Sequence, residues 1–187
     1  MGSRVLFLTN SELGQASHCL AIAHELLHQP AFSVHIASFE PLRGEVYQLN
    51  SRAAVFVSAT GQPVTTARFH PIRGLSMRQA LEQRRSFNPA HAFQIHGLGY
   101  EAAIEAYRGV LIRAMVPWTG EEYMAIYRSC EEVVDGVNAA LIVVDPLFTQ
   151  AVDVCRHLGK KCVVLSPNTF KEHVPQPWLA NVWKYPM

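Results

Sequence analysis

The chain has 187 residues, 49% of them apolar and 17% charged, and its 16 Lys and Arg against 15 Asp and Glu leave a formal net charge of +1. A charged fraction below the ordinary ~25% argues against disorder, and the near-neutral balance offers no footprint for nucleic acid or an anionic membrane. The length suits a single domain that buries roughly 70% of its unfolded surface, and the thin polar cover suggests that a partner or further domain hides some of the rest.

Val5-Leu6-Phe7-Leu8 is a short apolar run bounded by polar residues and reads as a buried strand. After Gly14, residues Ala16 to Leu27 have helical spacing, with Cys19, Leu20, Ala23, Leu26 and Leu27 on one face, and Pro30 stops the helix. Ser33 to Ser38 alternates as a second strand. Strand, helix and strand in so short a span make a βαβ unit, hence a parallel sheet with right-handed crossovers. Pro41 to Asn50 reads as a helix, Ala54 to Ser58 as a third strand and Ala67 to Ile72 as a weaker fourth. From Leu75 to Val137 the chain reads as a mainly helical insertion, broken at Asn88-Pro89, Gly97 and Pro117. Thr119 with Glu122 fits a capping box for a helix running to about Val137. The βαβ pattern then returns: strand Ala140 to Val144, helix Thr149 to Leu158 closed by Gly159, and strand Lys161 to Leu165. The fold expected is α/β, a doubly wound parallel sheet with ligand sites at the carboxyl ends of its strands.

Four cysteines, Cys19, Cys130, Cys155 and Cys162, contain no Cys-x-x-Cys pair and fall in segments that read as buried. That favours reduced thiols in a cytoplasmic protein. The first apolar run is too short for a secretory signal, and Ala139 to Val144 is too short to span a bilayer, so no transmembrane segment is expected.

Four motifs offer chemistry. A dinucleotide site needs Gly-x-Gly-x-x-Gly after the first strand, and the loop here has Gly14 alone, which argues against NAD or FAD. His24-Glu25-Leu26-Leu27-His28 matches a zinc-hydrolase spacing, but no third ligand is evident downstream. A solvated face of a crossover helix explains it as well, and no metal is expected. The turn from Asn10 to His18 lies at the end of the first strand and faces the expected crevice. Asp145 directly follows an apolar strand, where burial is costly unless the carboxylate is paired. It reads either as a helix N-cap or as a group facing the Gly14 turn, orienting a His or Gln side chain there. Aromatic residues of the insertion, among them Phe93 and Trp118, read mostly as core, with some lining an apolar pocket.

The run Leu13-Gly14-Gln15-Ala16-Ser17-His18-Cys19-Leu20 through Leu27, followed by Val34 to Phe39, resembles the start of UDP-dependent glycosyltransferases of the GT-B fold, most of all fungal members of the UDP-glucosyl/glucuronosyltransferase group. Phe69 to Met77, Trp118 to Tyr123, Val144 to Phe148 and Val164 to Thr169 extend the resemblance along the chain. It implies the N-terminal, acceptor-binding domain of a two-domain enzyme that transfers a hexose from a UDP-sugar to a hydroxyl of a lipophilic small molecule. The donor-binding domain is absent from these 187 residues, so activity is not expected from them alone, and the domain would act in cis or in trans. No resident cofactor is implied, since the UDP-sugar is a substrate of the missing domain.

In the family, a histidine after the glycine of the first turn removes the acceptor proton, steadied by an aspartate after a later strand. Asp145 matches the aspartate, but the histidine position falls on Gln15, which is no base at neutral pH. His18 is the nearest imidazole in the sequence. Gln15, His18 and Asp145 are therefore the candidate catalytic residues, and Gly14, Phe39, Phe93, Trp118 and Phe148 the candidate acceptor-binding ones. The alternatives are a non-catalytic binding module, a partner subunit of a separate donor domain and, remotely, a zinc hydrolase.

Overall fold

The computed structural model describes residues 2–60, 64–84, 99–101, 104 and 115–166, without the side chains of 56–60. The chain divides into two compact units, Met1–Ala80 with Trp118–Ser166, and Leu81–Pro117 with Pro167–Met187. The architecture below is that of the first unit. Most of the expected helical insertion, Phe93 included, lies outside the described residues.

The elements run β1 (Ser3–Leu8), α1 (Leu13–Leu27), β2 (Phe32–Ser38), a 3-10 turn (Glu40–Leu42), α2 (Arg43–Thr60), β3 (Arg68–Pro71), α3 (Met77–Gln83), α4 (Gly120–Val137), β4 (Leu141–Val144), α5 (Thr149–His157) and β5 (Cys162–Val164). The five strands form one sheet in the order β3-β2-β1-β4-β5, and every pairing is parallel. Val5 aligns with Val34 on one side and Leu141 on the other. This is a Rossmann-like α/β fold, with β1 at the point where the strand order reverses.

Side chains alternate across the sheet, so each strand feeds two cores. Val5, Phe7 and Ile36 pack with Ala16, Cys19, Ala23, Leu42 and Val46 beneath α1 and α2. Leu6, Leu8 and Val144 pack with Ile126, Cys130, Phe148 and Val154 beneath α4 and α5. Burial on both faces explains why β1 and β4 are unbroken apolar runs rather than alternating ones. All four cysteines are free thiols, with Cys19, Cys130 and Cys155 buried and Cys162 half-buried.

The expected strand at Ala54 to Ser58 is instead part of α2. Leu42, Val46, Leu49 and Ala53 recur at helical spacing and are all buried, so the apolar stripe carries the helix onward. The β-branched residues beyond it follow that stripe, and Val55 is left 70% exposed. The chain pairs with β2 only after α2, at β3. Asn50 fixes the entry, its Oδ1 accepting from Ala67 N at 2.8 Å and its Nδ2 donating to Ala67 O at 3.0 Å.

The helix ends follow their sequence signals. Thr119 Oγ1 accepts from Glu122 N at 3.2 Å while Glu122 Oε2 accepts from Thr119 N at 2.7 Å, which completes the expected capping box. Beyond α5, Gly159 adopts φ +61° and Lys160 N donates to Cys155 O at 2.8 Å, a left-handed stop. Tyr123 of α4 donates to Asp153 Oδ2 of α5 at 2.6 Å across the helix pair. Among the described residues, no helix is long and apolar enough to cross a membrane.

Gly74, after β3, has φ +124°, and a Cβ there would meet Ile126 Cγ1 at 2.6 Å. Strain and overlap act together, so Gly74→Ala is expected to destabilise the chain by about 1–3 kcal/mol in urea unfolding. Thr119→Ala removes one half of the capping box and is expected to cost about 1 kcal/mol in the same measurement, with Thr119→Ser close to wild type.

Candidate functional site at the ends of β1 and β4

β1 and β4 are neighbours whose chains leave the sheet in different directions, and polar residues fill the gap. Thr9 and Asn10 follow β1, Asp145 follows β4, and all three are buried. Asp145 N donates to Leu8 O at 2.9 Å, which sets the carboxylate beside the β1 end. Its Oδ2 accepts from Thr9 Oγ1 at 3.5 Å, Asn10 N at 3.3 Å and Asn10 Nδ2 at 3.5 Å, and its Oδ1 accepts from Leu147 N at 2.9 Å. The Leu147 bond is of ordinary length, whereas the three on Oδ2 are long. Burial raises the Asp145 pKa above the ordinary aspartate value, and these hydrogen bonds offset the rise only in part. Cys19 of α1 lies close by: burial, then the Asp145 charge, push its thiol up to about 11 against a hydrogen bond from Thr9.

Asp145 thus faces the β1 turn, but its partners are Thr9 and Asn10 rather than a Gln or His side chain. The N-cap of α5 is Phe148, which makes no side-chain cap, so Asp145 does not take that part either. Gln15 is half-buried, and its Oε1 has no partner among the described residues. His18 is exposed, with Nδ1 3.4 Å from Ser17 Oγ. Both belong to α1, which begins at Leu13, three residues before the expected start. Gly14 is exposed, and a Cβ there would meet nothing within 4 Å. Its value at this position is open space, not a close approach.

Phe39 and Phe148 are fully buried against each other, ring centroids 5.4 Å apart. Trp118 is 7% exposed, and its Nε1 donates to Leu75 O at 2.8 Å. All three belong to the core under α4 and α5, so they back the strand ends and present little open surface. His24 of α1 and His28, which caps its end, stack edge to face at 4.7 Å, with Glu25 Oε1 3.5 Å from His24 Nδ1. No set of three metal-ligating side chains occurs among the described residues. A groove of about 510 Å³ runs between α1 and α2, lined by Leu13, Leu20, His24, Leu49 and Arg52 among others, and Asp145 takes no part in it.

Asn10 enters the sequence reading only as the first residue of the turn, Cys19 only as a buried thiol, and Thr9 and Gln150 are not singled out at all. Thr9 looks like the polar border of a strand, although Asp145 occupies the same kind of position. Gln150 is fully buried in the first turn of α5, and neither amide atom has a partner among the described residues. Nothing in its sequence context marks it.

Asp145→Ala would strand three donors, Asn10 N, Asn10 Nδ2 and Leu147 N, while the Thr9 hydroxyl keeps Asn10 O at 3.2 Å, and a loss of about 2–4 kcal/mol is expected on urea unfolding at neutral pH. The folded chain holds the Asp145 proton more tightly than the unfolded one. The contribution of Asp145 to stability therefore declines as pH rises through the window just above the ordinary aspartate value. A pH series of melts is expected to show this decline in the difference between the wild type and Asp145→Ala.

No protein-family profile matches the chain. Over 97% of its length it is 27% identical to glycosyltransferase sdnJ of the fungus Sordaria araneosa, of which it spans 36%. Among solved structures, the glycosyltransferase of kitacinnamycin superposes with TM-score 0.53 at 11% identity, over 98% of this chain and 34% of that one. A glycosyltransferase from Streptomyces sp. SF2575, complexed with thymidine diphosphate, superposes with TM-score 0.51 at 16% identity, over 88% of this chain and 38% of that one. The chain spans about a third of the length of the relatives it matches. In sequence it is a homologue of a fungal glycosyltransferase, and in fold it is the Rossmann-like sheet of glycosyltransferases of the GT-B type.

Proposed function

We propose that this chain is the N-terminal, acceptor-binding part of a UDP-sugar-dependent glycosyltransferase that transfers a hexose to a hydroxyl of a lipophilic small molecule. A donor-binding domain in cis or in trans completes the enzyme, and the chain is inactive without it. The observation that carries the reading is the similarity along 97% of the chain to about a third of one glycosyltransferase. The reading needs no resident cofactor, because the nucleotide sugar is a substrate held by the other domain.

The chemistry required is removal of a proton from the acceptor hydroxyl as its oxygen attacks the anomeric carbon. Gln15 stands where the family places its base, and a carboxamide does not take up that proton at neutral pH. Asp145 is held by Thr9 and Asn10 and bonds to no imidazole among the described residues. In this reading the 187 residues bind and orient the acceptor, with Asp145 rigidifying the β1 end. The same observation favours a second reading, a non-catalytic module that holds a small molecule.

An assay with UDP-glucose and a panel of lipophilic alcohols is expected to give no transfer from this chain by itself, and robust turnover would overturn the proposal. With a donor domain supplied, transfer to any of these alcohols supports the first reading, and binding of an alcohol without transfer supports the binding module. Where transfer occurs, a fall of about 100-fold or more in Asp145→Asn gives Asp145 a catalytic part, and an unchanged rate leaves it the structural one.

A further inference from the structure

On the face of the sheet beneath α4, polar residues from three adjacent strands sit side by side. Register aligns Arg4 with Ser33 across β1 and β2, and His35 with Arg68 across β2 and β3; His70 is two residues beyond Arg68. Residues in register share a face, so all five project on the side of Leu6, which itself aligns with His35. His35 is 6% exposed. Its Nδ1 lies 2.9 Å from His70 Nε2 and its Nε2 lies 3.2 Å from Ser33 Oγ, with the two rings stacked 5.2 Å apart.

Among the described residues, every charge that acts on this pair is positive. Burial, then His70, Arg68 and Arg4, press the His35 pKa down to about 4, and burial with Arg68 lowers that of His70. No carboxylate of the described residues offsets them. On α4, Glu132 is paired with the Arg73 guanidinium at 2.6 Å, Ser129 is bonded to Arg73 N, and Asp135 is exposed; none of them acts on either imidazole. Arg4 and Arg68 are exposed and form no ion pair among the described residues. Like charges set side by side on one sheet face destabilise it unless something of opposite sign lies among them.

We propose that Arg4, Ser33, His35, Arg68 and His70 form a binding site for a small oxyanion of the phosphate type. The two guanidiniums supply charge and forked donors. One proton lies between the imidazoles. When His35 donates it to His70 Nε2, the Ser33 hydroxyl donates to His35 Nε2 and His70 Nδ1 carries its own proton as a donor. The anion selects that tautomer and favours a further proton on the pair, so binding strengthens as pH falls. The site uses none of the residues around Asp145 and is independent of the proposed function.

The test uses the full chain and inorganic phosphate, against chloride at equal ionic strength. Without phosphate, the depressed imidazoles leave stability whole above pH 6.5 and erode it as pH falls toward about 4. Saturating phosphate is expected to raise the Tm by about 2–4 °C near pH 6 and by less near pH 7.5. NMR titration is expected to show both imidazole pKa values rising in its presence. The double variant Arg4→Gln, Arg68→Gln, altered at exposed positions, is expected to lose both effects. No phosphate-specific shift in the wild type, or an equal shift in the double variant, overturns the proposal; should that variant fail to fold, the wild-type titration still decides. Vesicles of phosphatidic acid set against phosphatidylcholine then identify the source. Selective co-sedimentation with the former assigns the group to a lipid headgroup, and a phosphate shift without it assigns a soluble ligand.

Discussion

A parallel sheet covered by helices on both faces has little room in its middle for a polar side chain, and His35, held by Ser33 and His70, is the exception here. The strand ends are where backbone groups run out of partners and side chains replace them. Here that constraint concentrates at the reversal of strand order, where β1 and β4 end together and Thr9, Asn10 and Asp145 bond to one another. The carboxylate is there because four donors converge on it, and the donors are placed because two apolar strands hold Leu8 and Val144 in register. The remainder of the unit maintains that register: α1 and α2 press on one face, α4 and α5 on the other.

Much of this architecture was legible in the residues. The apolar runs of β1 and β4, the Thr119–Glu122 box and the Gly159 stop each depend on neighbours in sequence, so their signals are complete within a few positions. α2 was misread because two local signals conflicted. Its β-branched second half favours a strand, and only the buried stripe from Leu42 to Ala53 resolves it as a helix. The site was legible to a smaller degree. The position of Asp145 follows from its strand, but its choice of Thr9 and Asn10 over Gln15 or His18 is a contact across more than a hundred residues. A separation in sequence carries no information about which way α1 turns its side chains.

The same contrast bears on the relation to glycosyltransferases. The fold is shared, whereas Phe39, Trp118 and Phe148 are packed into the core and Gln15 stands half-buried on α1 with its Oε1 unpartnered among the described residues. The sheet depends on Leu8, Val144 and Asp145 and not on the side chain at Gln15, so the scaffold keeps its shape whatever side chain stands there.

The buried cysteines have a practical corollary. Burial pushes the Cys130 thiol far up, and burial with Cys162 beside it pushes Cys155 up to about 12. Since the thiolate is the reacting species, both are chemically silent near neutral pH while the chain is folded. They come from α4 and α5, the two helices clasped by Tyr123 and Asp153. Their rate of alkylation is therefore a built-in clock for the separation of that helix pair from the sheet.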